Sequence, residues 1–504
     1  MPYSRIDVHA SAAQQQLAQA LADLKTEFKL PGAFSADVLA ELAQTMAGHR
    51  LPDLDLTALP FITIDPPGSQ DLDQAMFLQR NEQGYLVRYA IADVPSFVPP
   101  GGALDEETRR RGQTVYTPDG RVPLHPARMS EGSASLLAGQ LCSAFVWEIQ
   151  LDGAGEAVST TVRRARMRSV AKLGYEQAQQ MLDDGSSPSG GAGSFARGGA
   201  GGPGGGDAVV EILRLLREIG LKRVALEHQR GGASLNAPKQ EVEHDGQQYQ
   251  LVFRPALPVE DWNAQISLLT GMAAAQLMLE GKVGILRTMP EPDKGATERY
   301  RLQTVALGKP WPEGMSYGDY LRSLDNSDPK QLALMHAAAS LFRGAGYTPF
   351  DGAAPERTVQ AAVAAPYAHT TAPLRRLVDR FVLAICAALS AGEEVPQWAR
   401  DALPALPAVM AASDQLANKV DRAAVDAVEA ALLSSHVGQE FDAVVVSGPR
   451  SNGNGNGNTA RSIIQIKDPA VSAYCEGSLE PGSTVRVELL QADIATRTVL
   501  FRAV

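Results

Sequence analysis

The 504-residue chain carries 46 Lys+Arg against 57 Asp+Glu, a formal net charge of −11, with 44% hydrophobic, 20% charged and 6% aromatic residues. That length predicts roughly two to four domains with proper cores, and the composition excludes uniform disorder. An acidic total still leaves room for a local basic groove, because nucleic-acid binding follows the charge near the phosphates. Three widely separated cysteines, Cys142, Cys386 and Cys475, speak against a disulfide framework and against a thiolate zinc site. Apolar runs such as 381–389 fall short of the ~20 residues of a bilayer helix, and the first residues lack a secretion signal, so the cytoplasm is the expected location and no membrane is expected as partner.

Residues 1–58 read as a small helical region. Leu17, Leu21, Leu24 and Phe28 fall at helical spacing, a second helix is predicted over 35–46, and Pro31-Gly32 separates the two; the pair reads as plain packing helices, with a small helix-turn-helix cap as the alternative. From residue 59 to 438 the pattern is a mixed sheet with helices. Strands are predicted at 61–64, 75–78 and 85–91, with a turn over 81–84. Eleven glycines among the 22 residues 185–206 predict a disordered surface loop. Asp207 then caps a helix, and further helices are expected at 262–280, 330–344, 373–390 and 406–436. Short strands at 441–446, 462–466, 484–489 and 498–501, interrupted by the Gly/Asn repeat 448–458, predict a C-terminal OB-type barrel over 439–504. The fold class is therefore α+β.

Two segments carry chemistry. In Asp65-Pro-Pro-Gly-Ser-Gln-Asp71-Leu-Asp73-Gln74, the two carboxylates at i and i+2 project to one side of an extended backbone, and the Pro-Pro-Gly turn can fold Asp65 towards them. Converging carboxylates repel unless a cation lies between them, which suits Mg²⁺ or Mn²⁺; a solvated turn is the competing reading. Asp71-Leu-Asp73 also matches the short metal motif of nucleotide-sugar transferases, which leaves the rest of the chain unexplained. In Tyr367-Ala-His369-Thr-Thr371-Ala-Pro373-Leu-Arg375-Arg376-Leu-Val-Asp379, Thr371 is placed to cap the 373–390 helix, with Arg375 beside its N-terminus as a phosphate site and Asp379 orienting Arg375. An exposed basic helix face is the alternative there.

Residues 65–75, Tyr89 to Val94, Leu104-Asp-Glu-Glu with Arg111 to Pro118, and Tyr367 to Asp379 resemble, in order, the blocks of the RNB (ribonuclease II / ribonuclease R) exoribonuclease family, over residues 60 to about 440. The resemblance implies an RNB catalytic domain over 59–438, a C-terminal RNA-binding OB domain, and processive 3′→5′ hydrolysis of single-stranded RNA to nucleoside 5′-monophosphates by a monomer without an organic cofactor. It places metal ligands at Asp65, Asp71 and Asp73, with Asp73 tied most directly to catalysis, and a base-stacking aromatic at Tyr116. Arg375 falls on the scissile-phosphate arginine; His369, read as a structural or phosphate-orienting histidine, and Arg376 are expected to take part in RNA binding beside it. Mg²⁺ is the implied cofactor, with Mn²⁺ possible.

The chain departs from the family at several points. Gln74 stands where a fourth acidic residue is usual, which weakens a second ion and makes a catalytically weak RNA-binding or regulatory member the alternative. Asn263, Gln265 and Ser267 replace a region often carrying Glu, and Asn236 replaces an acidic residue. The cold-shock domains that normally precede the catalytic domain do not fit in 58 residues. Arg163, Arg164, Arg166 and Arg168 alternate along a predicted strand, which reads as a solvated strand face, with the lining of an RNA route as the alternative.

Overall fold

The computed structural model describes residues 4–7, 11–185, 194–195, 205–233, 239–244, 249–254, 256–325, 328–339, 341, 343–448, 461–466 and 471–504. Nearly all of the glycine-rich run, Asn236 and most of the Gly/Asn repeat lie outside these residues. No helix among the described residues is long and apolar enough to cross a membrane.

The central sheet runs in the order Phe61–Ile64, Gln74–Asn81, Gly84–Ala92, Leu141–Leu151, Ala157–Leu173 and Ser194–Phe195. Phe61–Ile64 also pairs in parallel with the far end of the 17-residue strand Ala157–Leu173, so the sheet curls back on itself. Alternation along the strands sorts side chains to two faces. Tyr89, Ile91, Phe145, Trp147 and Ile149 pack under the helices Gly205–Arg230, Pro258–Gly281 and Leu377–Ala391. Small residues at the intervening positions, Ala90, Ala92, Ala144 and Ala165, let the helices Ala36–Gly48 and Ala103–Arg111 approach the other face through Val38, Leu42 and Leu104. Burying each large apolar side chain contributes about 1.5–3 kcal/mol before chain entropy is offset.

The C-terminal strands Glu440–Ser447, Arg461–Ile466, Ser472–Glu476, Thr498–Ala503 and Thr484–Asp493 form a closed barrel in that order, of the expected OB type. Ser472–Glu476 is the strand that periodicity did not single out.

The N-terminal segment differs from the expected helix pair. The helix Ser11–Glu27 buries Leu17, Leu21 and Leu24 against the barrel and the helix Leu406–Leu433, whereas Ala36–Gly48 joins the sheet core. Each apolar stripe finds its own core, so the two are not a helix-turn-helix unit. The strand Ser4–Asp7, absent from the sequence reading, pairs with Tyr249–Arg254.

Candidate active site

Strand Phe61–Ile64 delivers Asp65, whose N–H bonds the Leu173 carbonyl at 3.1 Å. The Pro-Pro-Gly turn follows, with Gly68 at φ +82°, a conformation that costs glycine nothing. Leu72 N–H donates to Ser135 Oγ at 2.9 Å and Ser135 Oγ donates to the Gln70 carbonyl at 2.6 Å, which holds the loop up to Asp73, where strand Gln74–Asn81 begins.

Asp73 is 5% exposed, and its Oδ1 accepts the Leu374 N–H at 2.7 Å across 301 residues of sequence. Its Oδ2 lies 3.6 Å from Nε of Arg375, whose side chain is half exposed. Burial pushes the Asp73 carboxyl well above the usual range, against the pull of Arg375 and the Leu374 N–H. Asp65 is likewise raised, to about 6, chiefly by burial. No hydrogen bond or ion pair from a described residue reaches its side chain.

The helix expected over 373–390 starts instead at Leu377. Thr114 N–H bonds the Arg375 carbonyl at 2.9 Å and Leu377 N–H bonds the Gly112 carbonyl at 3.0 Å, so 375–377 is drawn into a strand-like pairing that displaces the first helical turn. Thr371 does not cap it: its hydroxyl meets Ser267 Oγ at 2.9 Å and its carbonyl accepts from Gln74. Arg375 therefore stands on a turn before the helix, without the helix N–H groups the sequence reading supplied. Nor does Asp379 orient Arg375. Its carboxylate, fully buried, grips Arg376 at 2.5 and 2.8 Å and the Ala372 N–H at 2.8 Å, clamping both sides of the turn that displays Arg375.

The three acidic residues do not converge as the spacing suggested. Asp71 adds to the charging cost of both Asp65 and Asp73, but its Oδ1 is taken by Arg121 at 2.5 Å. Among the described residues, no group of three or more His, Cys, Asp or Glu is placed to hold a metal. In donor chemistry and charge the set suits a hard divalent cation: Asp65 has no direct ion-pair partner among the described residues, Asp73 has only the half-exposed Arg375 at 3.6 Å, and Asp71 is paired with Arg121. Asp71 can offer an ion its Oδ2, which among the described residues meets only the Tyr116 hydroxyl at 3.5 Å, whereas its Oδ1 becomes available once Arg121 leaves.

Gln74 is spent elsewhere. Its Nε2 donates to the Thr371 carbonyl at 2.6 Å and its Oε1 accepts from the buried Tyr89 hydroxyl at 2.7 Å, tying the sheet to the Arg375 turn. Gln74→Asp, the substitution that would supply the usual fourth acid, is expected to lower unfolding free energy by about 1–3 kcal/mol in urea titrations, because it removes the donor to Thr371 and leaves that carbonyl unpaired.

Tyr116 lies on the strand Val115–Thr117, cross-strand from Arg121, 49% exposed and with its hydroxyl 3.5 Å from Asp71 Oδ2. His369 Nδ1 is 2.7 Å from the Tyr347 hydroxyl, and burial together with Arg376, Arg287 and Arg375 drives its pKa well below the ordinary value, so the imidazole is neutral. Tyr367 and His369 reach this place because Gly271 has no side chain: a Cβ there would lie 2.2 Å from Tyr367 Cε2. Gln265 is buried and donates to Glu227 at 2.6 Å. The arginine row of the long strand is largely neutralised, Arg163 by Glu148, Arg164 by Asp93 and Arg166 by Asp55, so it is not the free basic track that the RNA-route alternative requires.

Three contributors escaped sequence reasoning. Arg121 and Glu131 were traceable only through the turn signal Pro118-Asp-Gly, which predicts the hairpin pairing Arg121 with Tyr116. His125, 1% exposed, bonds the Leu374 carbonyl through Nδ1 at 3.0 Å from 249 residues away, and no local pattern marks it. Burial lowers its pKa to about 4. The unfolded chain therefore takes up a proton that the folded one refuses, and stability is lost as pH falls from 6.5 to about 4. The loss expected from this group is about 3 kcal/mol, read as the difference in pH slope between the wild type and His125→Gln in denaturant unfolding.

A family model described as the RNB domain matches residues 54–391, and one described as the RNase II-type exonuclease C-terminal S1 domain matches 439–504. "Exosome complex exonuclease RRP44 homolog A" of Arabidopsis thaliana is 25% identical over 348 residues, 66% of this chain and 35% of that protein. "Ribonuclease R" of Thermotoga maritima is 33% identical over 169 residues, 32% of this chain and 24% of that protein. The matches thus span about a third or less of these relatives. Among solved structures, Mycoplasma genitalium RNase R in complex with ribose methylated single-stranded RNA superposes with a TM-score of 0.83 at 16% identity, covering 97% of this chain and 78% of that one.

Proposed function

The chain belongs to the RNB-domain family, and from that premise we propose that it is a divalent-metal-dependent exoribonuclease, degrading single-stranded RNA processively from the 3′ end to nucleoside 5′-monophosphates. The observation that carries the reading is the meeting of the buried Asp73 carboxylate with the half-exposed guanidinium of Arg375 at 3.6 Å. Acid and arginine come from opposite ends of the domain and share the Leu374 contact, as a site for a phosphodiester requires.

Asp65, Asp71 and Asp73 would hold Mg²⁺ or Mn²⁺. Such a cation supplies Lewis-acid charge at the phosphate and a water acidic enough to attack at neutral pH. Arg375 donates to the non-bridging oxygens and offsets the charge that develops in the transition state. Tyr116, exposed beside Asp71, offers its ring to the terminal base. His369, neutral and hydrogen-bonded to Tyr347, and Arg376, fixed by Asp379, shape the wall behind Arg375 and contribute polarity more than proton transfer. The C-terminal barrel gathers the RNA.

One observation favours a second reading, an RNA-binding member with little hydrolysis: Gln74 removes an anionic ligand and is locked into Tyr89 and Thr371. Oligoribonucleotides labelled in turn at each end and incubated with Mg²⁺ separate the two. Stepwise shortening from the 3′ end, with mononucleotides released, supports the exoribonuclease; RNA bound but intact in both Mg²⁺ and Mn²⁺ overturns it in favour of the second reading.

A further inference from the structure

Arg121 sits where a cation would otherwise be expected. Nη1 contacts Asp71 Oδ1 at 2.5 Å and Nη2 contacts Glu131 Oε1 at 2.6 Å, so one guanidinium bridges two carboxylates. Its side chain is 24% exposed, Asp71 11% and Glu131 25%, which leaves the bridge only partly screened by water. Asp71 is also the acid whose charge bears on both Asp65 and Asp73. Without a positive group on Asp71, three carboxylates would repel one another across a partly buried loop.

The hairpin that carries Arg121 is anchored independently. At its tip Asp119 pairs with Lys25 of the N-terminal helix at 2.6 Å. Arg121 can therefore release Asp71 and keep Glu131 without the hairpin losing its attachment.

We propose that Arg121 is a placeholder cation: it neutralises Asp71 while the acidic loop is metal-free, competes directly with the divalent ion for that carboxylate, and withdraws to Glu131 when the ion enters. The inference rests on the metal-dependent reading above and adds a positioning residue to it. Arg121 touches Asp71, not the reacting atoms, and acts through the affinity of the site for its ion.

The competition has a signature that a purely structural arginine lacks. Mn²⁺ affinity is measured by electron paramagnetic resonance of the free ion, on the full-length wild type and on Arg121→Gln, Arg121→Lys and Glu131→Gln, each checked for an unchanged far-ultraviolet dichroism spectrum. Arg121→Gln is expected to bind Mn²⁺ about tenfold more tightly, the worth of one charge-assisted pair removed from competition. Arg121→Lys keeps the charge but cannot span both carboxylates, and is expected to tighten binding as well. Glu131→Gln removes the alternative resting place and is expected to weaken it.

Equal affinity in the wild type and Arg121→Gln overturns the placeholder role while leaving the metal site standing. Affinity in Arg121→Lys equal to wild type overturns it too, because only bulk charge would then matter. Absence of Mn²⁺ binding in all four proteins overturns both this inference and the metal-dependent reading.

Discussion

Asp73→Asn is expected to lower RNA hydrolysis by on the order of 10³-fold while RNA binding and folding persist. The amide oxygen of asparagine still accepts the Leu374 N–H that Asp73 Oδ1 accepts at 2.7 Å, so the junction between the strand and the 371–376 turn is retained. What disappears is the negative charge beside Arg375, and with it a ligand for the proposed ion; an interaction made mainly in the transition state is worth several kcal/mol, or a few decades in rate. Because burial first, and the charges of Asp379 and Asp71 after it, raise the Asp73 carboxyl, removing its charge relieves that cost, and the unfolding midpoint is expected to stay level or rise. Single-turnover digestion, an RNA-binding titration and a thermal melt of the same preparation check the three parts. A variant that melts early and loses RNA binding together with hydrolysis would instead mark Asp73 as a structural residue.

Asp379→Ala is expected to act in the opposite way, by costing about 3–5 kcal/mol of stability. The Asp379 side chain is fully buried and that of Arg376 is 19% exposed, and their two hydrogen bonds at 2.5 and 2.8 Å are joined by one from the Ala372 N–H. Deleting the carboxylate leaves a buried guanidinium and a buried N–H unpaired, which is the costly way to break an ion pair. Arg376 cannot escape by losing its proton once Asp379 is gone, because a guanidinium stays charged in proteins. Activity should fall with stability, since the turn displaying Arg375 is held by this clamp. Arg375→Ala gives the contrast: half exposed, with Asp73 as its ion-pair partner at 3.6 Å, it is expected to leave the denaturant midpoint within about 0.5 kcal/mol and to reduce turnover.

These two neighbours show how the site divides between what spacing reveals and what it hides. Asp379 lies four residues after Arg375 and three after Arg376, and on an ideal helix either arginine is within reach. The choice is made by Gly112 and Thr114, which pair with the backbone at 375–377 and turn Arg376, at φ −138° and ψ 121°, into an extended residue facing Asp379. The same pairing moved the helix start from the expected residue 373 to Leu377 and removed the helix terminus from the phosphate site. A proline and a threonine in good capping positions lost to backbone hydrogen bonds from a segment more than 250 residues away.

Several features were decided by local chemistry and are readable from the residues alone. Alternating β-branched and aromatic residues specified the strands around 61–64, 74–81 and 84–92, apolar residues at helical spacing specified the long helices, and turn residues between short strands specified the C-terminal barrel. The family blocks named Asp73 and Arg375, which the fold does bring together. Folding alone decided that Asp71 would be handed to Arg121, that Gln74 would tie Tyr89 to Thr371, that His125 would brace Leu374, and that the two N-terminal helices would part to different cores. The reason is physical: periodicity and turn chemistry act within a dozen residues, whereas the partner of a buried charge is whichever opposite charge or donor the packed chain carries to it, and that is settled by contacts 50 to 300 residues apart.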